Sequence, residues 1–333
     1  MRILGLDVGG AHVKAALLRS RGKLPRRMVY PFEIWKNPGG LTSLLRSIRD
    51  EQKPDAVVLT MTGELSDVFK SRADGTRHIV KCAVDAMAPV SVRVIDVDGQ
   101  MVGPGEAIKK HWRVASANWS ATARWVSKHL PRCLIVDIGS TTTDILPVKN
   151  GSPMVRGKTD LQRLVTGELL YTGCLRTPVG AVVATLKIND APVAVCPEYF
   201  SVMGDAHLYL GQIRAKDYTI PTPDNGPKTK RGAALRLARV VLSSPKELGG
   251  GEIESIAKQV VEAQIDTICW AVKRVIKDHN LSDAPVVLIG PGRIYLKRLS
   301  AKLKNKFVAT VGGHPVERID PAACCATLLG DVM

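Results

Sequence analysis

Aromatic side chains are scarce in this chain: 5 Trp, 6 Tyr and 4 Phe among 333 residues. Few flat rings means few stacking platforms for unpaired bases, which argues against single-stranded nucleic acid as the principal ligand. No apolar run approaches the roughly 20 residues that a membrane-spanning helix needs. The first apolar stretch is interrupted at Asp7, unlike a secretory leader. A cytoplasmic location is therefore expected, with no membrane partner. Seven Cys are present, but no CxxC pair and no Cys/His spacing typical of zinc. They read as small core residues in a reducing compartment. Low-complexity tracts are missing as well, so the chain has the length and the 45% apolar content for two domains or one large α/β unit.

Acidic residues are also short: 31 against 47 Lys and Arg, a net charge of +16. Nucleic acid is the obvious candidate partner for such an excess. However, the basic residues are spread along the chain, with local groups only at 109–132 and 297–306. That distribution suits an enzyme whose overall field gathers multiply anionic small molecules.

Against this background two segments match each other. Residues 3–18 read ILGLDVGGAHVKAALL and residues 134–148 read LIVDIGSTTTDILPV. Each carries an apolar strand into an Asp, then glycine and small residues, then a second apolar strand. Glycine permits positive φ and close backbone approach, and backbone N–H groups in such a turn form an anion nest. Asp7 and Asp137 repel phosphate and would act on it through Mg²⁺ or its waters. Two facing hairpins of this kind would clamp a di- or triphosphate.

Elsewhere the pattern predicts a strand at 54–65 ending in a Gly turn, an alternating edge strand at 91–101, helix over 103–130, a basic helix near 231–242 and a long amphipathic helix over 251–277. A closing helix is expected at 321–333. A division near residue 130 is expected, giving an N-terminal lobe 1–130 and a C-terminal lobe 131–333. The latter includes a Pro-, Gly- and Thr-rich substrate-side region at about 150–230.

The duplicated hairpins, about 130 residues apart and followed by VVLIGPGR at 286–293, resemble the sugar kinase, Hsp70 and actin superfamily. That likeness implies a two-lobed α/β, ribonuclease H-like fold with an inter-lobe cleft. It makes Gly9, Gly10, His12 and Lys14 the first phosphate loop. Gly139, Ser140, Thr141 and Thr142 form the second, with Thr143 and Asp144 either joining it or closing the hairpin. Gly290 and Gly292 fall on the adenosine-side turn.

Three more segments, TMTGEL at 60–65, ASANW at 115–119 and GELLYTGCLRTPV at 167–179, are similar to those of a hydantoinase/oxoprolinase-like branch. This is the tetrahydromethanopterin-linked C1-transfer family of archaea and methylotrophic bacteria. The resemblance implies a transferase of methanofuran biosynthesis. The phenol of γ-glutamyltyramine would displace diphosphate from an (aminomethyl)furanmethanol diphosphate, forming a furan–phenol ether. Mg²⁺ is the expected cofactor, and ATP is not expected to be consumed. Glu64 and Glu168, each following Thr-Gly, are candidates to receive the phenolic proton or to hold the aminomethyl cation. Arg176 is the candidate for a substrate carboxylate, since its planar fork matches one. Tyr171 and Trp119 are candidates for ring stacking or core packing, Asn118 for orienting substrate, and Cys174 for filling space.

The competing readings are an ATP-dependent small-molecule kinase, an ATP-dependent amidohydrolase, an Hsp70- or actin-like nucleotide switch and a nucleic-acid binder. No Asn-Asp kinase signature is evident, amidohydrolases of the group are much larger or carry partner subunits, and nucleic acid is unlikely as a partner. A homo-oligomer remains open.

Overall fold

The computed structural model describes residues 1–20 and 22–333. Its residues form two compact units: 1–135, 146–166 and 308–333 make the first, and 136–145 and 167–307 the second.

The first unit is built on a six-stranded sheet in the order β3-β2-β1-β4-β5-β6. These are Ile3–Val8 (β1), His12–Leu18 (β2), Arg26–Pro31 (β3), Ala56–Met61 (β4), Val92–Ile95 (β5) and Met101–Val102 (β6). β1 pairs antiparallel with β2 and parallel with β4, and β4 is parallel to β5. Every residue of β1 and β4 is buried, as befits central strands covered on both faces. One covering comes from α1 (Leu41–Gln52) and α2 (Arg72–Met87), whose Ile48, Ile79 and Ala83 join the core of Leu4, Leu6, Val8 and Leu59. α2 begins where the Ser71 side chain accepts a hydrogen bond from the Asp74 amide. The expected 103–130 helix is three pieces: α3 (Pro104–Lys109), α4 (His111–Val114) and α5 (Asn118–His129). Ser116, with φ of +49°, breaks the run before α5.

The chain returns to this unit at its end. α12 (Pro321–Val332), capped by Asp320, packs on β1 so closely that a Cβ on Gly5 would stand 2.0 Å from the Ala322 carbonyl oxygen. The units therefore do not follow a single cut at residue 130. Residues 308–333 belong with the N-terminal strands because those strands need an apolar helix on their second face. The 150–230 region is likewise divided, at residue 166.

The second sheet has the order β10-β8-β7-β13: Cys133–Ile138 (β7), Thr143–Lys149 (β8), Leu169–Leu170 (β10) and Val286–Ile289 (β13). Ser152–Pro153 (β9) pairs with β8. A parallel bridge from Val286 to Phe307 occupies the next position. The order thus echoes the first sheet, with the fifth strand reduced to one residue. This doubled strand order is the ribonuclease H-like arrangement of the sugar kinase, Hsp70 and actin proteins, as expected from the hairpins.

Helices of the second unit include α8 (Met203–Tyr209), α9 (Lys230–Arg239) and α10 (Pro245–Asp278), after the short α6 (Asp160–Thr166, in the first unit) and α7 (Val179–Val182). A β11–β12 hairpin (Thr185–Ile188, Ala191–Ala194) and α11 (Leu296–Lys302) complete it. α10 starts earlier than the periodicity predicts, because Ser244 and Glu247 form a reciprocal capping box; Gly249, at φ +75°, then kinks it. Arg236 of α9 is fully buried, and its Nε donates to Asp205 at 2.8 Å. No helix among the described residues is long and apolar enough to cross a membrane.

Candidate functional site

Each unit carries one strand–loop–strand hairpin, and the two loops are held by the same device. In the first, the Gly9 amide donates to the His12 carbonyl at 2.9 Å, closing the turn. The carbonyls of Gly10 and Ala11 are then taken by the Ile34 and Phe32 amides at 2.9 and 3.1 Å. In the second, Gly139 N–H donates to the Thr142 carbonyl at 2.8 Å. The Gly139 carbonyl accepts from Cys174, and the Ser140 carbonyl from Leu175 and Arg176, at 2.8–3.1 Å. With the carbonyls tied back, the amides of Gly10, Ala11, Ser140, Thr141 and Thr142 have no protein acceptor among the described residues. All five residues are only half-buried. Donors turned outward, with acceptors turned inward, make an anion cradle.

The glycines serve close approach rather than positive φ in these loops, since none of Gly9, Gly10 and Gly139 lies in the left-handed region. A Cβ on Gly9 would come within 3.1 Å of the His12 carbonyl oxygen, and on Gly139 within 3.3 Å of that of Thr142. Gly290 does need its freedom: its φ is +78°, and a Cβ there would meet Asp137 Oδ1 at 2.5 Å. Gly292 presses equally hard on Ile138. The 290–292 turn is thus the floor of the second loop.

Asp7, the last residue but one of β1, is almost fully buried. Its Oδ2 lies 3.5 Å from Lys14 Nζ, the residue opposite it in β2, while Oδ1 has no hydrogen-bond partner. Burial raises its pKa above the ordinary carboxylate value; Lys14 opposes the shift. Lys14 is accordingly the ion-pair partner of Asp7. Thr60, the register neighbour of Asp7 on β4, also buries an unpartnered Oγ1.

Three residues on, the 60–65 segment folds back on the first loop. The Thr62 amide donates to the Val8 carbonyl at 3.0 Å, and Gly63 lies against Gly9. This sets Glu64 in the interior, 0% exposed, with Oε1 accepting from Ser116 Oγ at 2.7 Å and Oε2 unpartnered. Burial pushes its pKa up, against the lowering effect of the Ser116 hydrogen bond. Orphaned buried polar atoms are uncommon in native folds. Three of them on Asp7, Thr60 and Glu64, at the loop end of β1 and β4, mark this as a polar site.

The remaining expected site residues have the following surroundings. His12 begins β2, and its side chain is half-buried. Asn118 opens α5, half-buried. Trp119 is only 3% exposed, and one face of its indole carries the Arg163 guanidinium at 4.6 Å. It is therefore a core residue rather than an open stacking surface. In the second unit, Tyr171 is 71% exposed. Glu168 is buried, with Oε1 3.6 Å from His279 Nε2, and its carbonyl accepts from the Ile145 amide at 2.9 Å. That commits it to the β8–β10 edge instead of an open surface. Arg176 is half-buried and tied by its amide to Ser140. Thr143 closes the hairpin, its Oγ1 donating to the Thr172 carbonyl at 2.8 Å, and Asp144 pairs with Leu169 on β10. Cys174 is buried, which drives its thiol pKa up to about 12, so it fills space.

Sequence reasoning missed the 32–34 segment; it singled out 167–179 and 115–119 but not the pinning of the second loop by the 173–176 backbone or the contact of Ser116 with Glu64. Gly173 was the available signal: a Cβ there would lie 2.5 Å from the Thr141 nitrogen.

Among the described residues no group of three or more His, Cys, Asp or Glu side chains could hold a metal. A divalent ion shared with phosphate oxygens and waters needs only one or two carboxylates. The orphaned, buried Oδ1 of Asp7 fits that requirement.

A hydantoinase/oxoprolinase family model matches residues 55–312, a span that includes the second loop and not the first. Across 328 residues, 98% of this chain and 97% of the relative, the sequence is 32% identical to a (4-{4-[2-(gamma-L-glutamylamino)ethyl]phenoxymethyl}furan-2-yl)methanamine synthase of Methanocaldococcus jannaschii. A protein of the same description from Methanococcus vannielii is 37% identical over 188 residues, 56% of this chain and 83% of that one. Among solved structures, nucleotide-free acetone carboxylase superposes with a TM-score of 0.58 at 10% identity, covering 98% of this chain and 70% of that one. This last likeness is one of fold alone.

Proposed function

We propose, for a chain that belongs both to the hydantoinase/oxoprolinase family and to the (4-{4-[2-(gamma-L-glutamylamino)ethyl]phenoxymethyl}furan-2-yl)methanamine synthase family, that it forms the ether bond of that product. The observation that carries this reading is the match to a synthase of that description along 98% of the chain, both hairpin loops included. That product joins a phenol oxygen to a furan methylene. The phenol of γ-glutamyltyramine is then the nucleophile, and the furanmethyl carbon carries the leaving group.

Diphosphate is the leaving group that suits the loops. As the carbon–oxygen bond breaks, negative charge builds on the departing oxygen. In each unit taken by itself, the loop amides, Gly10 and Ala11 in the first and Ser140, Thr141 and Thr142 in the second, are donors fixed in advance for such charge. They therefore bind the transition state better than the ground state. Mg²⁺ would be held, directly or through its waters, by Asp7 in the first unit or Asp137 in the second, and would add positive charge to a leaving group bound there. The furan ring stabilises a developing furfuryl cation, so bond breaking can run ahead of attack. The phenolic proton, whose ordinary pKa is near 10, is lost as attack completes. Glu64 is the residue we assign to accept it, because burial has made its carboxylate a stronger base than a surface one. Arg176 holds a substrate carboxylate. ATP is not consumed.

The test is an assay with Mg²⁺, the furanmethanol diphosphate and γ-glutamyltyramine. Diphosphate release and ether product are followed together by mass spectrometry, with ATP supplied in a parallel reaction. Diphosphate released in step with ether, without ATP, supports the reading. Ether formed only with ATP, or ADP formed without ether, overturns it in favour of an ATP-dependent enzyme of the same fold.

A further inference from the structure

The second loop rests on a buried chain of side chains that the proposed chemistry does not use. Gly173, which touches Ser140 and Thr141, is fixed from below by Gln264 of α10: Gln264 Nε2 donates to the Gly173 carbonyl at 2.9 Å and to Thr172 Oγ1 at 2.8 Å. Gln264 Oε1 in turn accepts from the Tyr295 hydroxyl. Tyr295 ends the 291–295 turn that begins at Gly290, the floor under Asp137. Its hydroxyl oxygen lies 2.6 Å from His207 Nε2, on α8. His207, Tyr295 and Gln264 are all 0–1% exposed. One continuous chain therefore joins α8, α10, the 290–295 turn and the 172–176 segment, all within the second unit.

The donor directions are forced. Gln264 must turn its amide nitrogen to the Gly173 carbonyl, because a carbonyl only accepts. Its oxygen therefore takes the single Tyr295 hydroxyl proton, and that hydroxyl oxygen is left to accept from His207. Burial pushes the pKa of His207 down to about 4, so near neutral pH it carries one ring proton, placed on Nε2 by this chain. Gln212 Oε1 stands 2.6 Å from Nδ1; with Nδ1 accepting, the direction of the chain requires that side-chain amide to be turned over, so that its nitrogen faces the ring.

We propose that His207, Tyr295 and Gln264 are positioning residues that hold the Ser140–Thr142 amides in their outward, anion-binding arrangement. This rests on the reading of that loop as a diphosphate cradle. The directed chain ends at the segment whose amides tie back the loop carbonyls. Breaking it frees Gly173 and lets those carbonyls turn toward the anion. The effect belongs to diphosphate and not to the phenol substrate.

The experiment is calorimetric binding of inorganic diphosphate with Mg²⁺ to the 333-residue protein, with thermal unfolding measured on each variant. Tyr295→Phe and Gln264→Leu are expected to weaken diphosphate by about tenfold or more, the scale of one lost buried hydrogen bond, while KM for γ-glutamyltyramine holds. His207→Gln keeps a donor toward Tyr295 and is expected to bind diphosphate nearly as the parent protein does; His207→Leu is expected to bind as poorly as Tyr295→Phe. If Tyr295→Phe lowers the unfolding temperature but binds diphosphate normally, or if the two His207 variants bind alike, the relay is only structural and the proposal is overturned. If the parent protein itself binds no diphosphate, the assignment of the loop falls, and the relay with it.

Discussion

Burial makes Asp7 and Glu64 unlike surface carboxylates. Each holds its proton more tightly in the folded chain than in the unfolded one, because a charged oxygen loses its water there. The linked stability has a definite sign. Between the unfolded value, 3.8 for Asp7, and the raised folded value, the native state binds more protons than the unfolded state. Stability is therefore full below the unfolded value and falls as pH rises through the folded one. Asp7→Asn removes that loss: its stability in urea is expected to match or exceed the parent's near pH 7 and to vary less with pH. Turnover is expected to drop by about 100-fold or more, the scale of losing one fixed charge-stabilising group. Parallel loss of stability and turnover would make Asp7 a structural residue instead. Glu64→Gln should flatten the stability profile in the same way. Its catalytic test is the pH–rate profile, whose acidic limb should disappear if Glu64 is the proton acceptor.

At the scale of loops and helices, the glycines that matter touch other loops rather than their own chain. Gly173→Ala places a Cβ 2.5 Å from the Thr141 nitrogen, against backbone that has no rotamer to move. The cost is about 1–3 kcal/mol of overpacking, and the loop is what gives way. KM for the proposed diphosphate substrate is expected to rise while KM for the phenol stays put, a split that steady-state kinetics resolves. Gly290→Ala combines that crowding, against Asp137, with a backbone at φ +78°, and should lose about 1–3 kcal/mol of stability in urea as well. Legibility in the sequence follows the same division. Asp7, Asp137 and the loop glycines could be read because a hairpin writes its pattern within a dozen residues. The long helix over 251–277 could be read from its apolar spacing, with only its capped start displaced to Pro245. The contacts of Gln264 with Gly173 and of His207 with Tyr295 span 91 and 88 residues, and no local periodicity announces them. Trp119 and Glu168 drew attention as residue types, yet their neighbours Arg163 and His279 settle their surroundings, and those neighbours follow no motif.

Over the whole molecule, the surplus of basic residues acts as a field. A net charge of +16 should speed capture of the proposed diphosphate substrate at low salt. Because the screening length shrinks to about 8 Å at physiological ionic strength, kcat/KM for that substrate should decline with added salt, while kcat at saturation stays nearly constant. The C-terminal helix offers a sharper test, since it joins the two ends of the chain in one unit. α12 buries Ala322, Ala323, Cys325 and Ala326 beside β1, where Gly5 leaves room for the helix backbone. Asp7 lies near the end of that strand, one residue before Val8. Removing residues 321–333 strips one face from β1 and β4, strands that are buried throughout. Buried apolar area is worth about 25 cal/mol per Å², so a helix of twelve residues outweighs the small net stability of a domain. Amide exchange in the truncated protein is expected to speed up across β1, β2 and β4, while α10 and β13, which lie in the other unit, keep their protection. Uniform loss of protection would mean that the two units fold as one cooperative body, and unchanged protection in β1 would mean that the helix is dispensable to the strand that delivers Asp7.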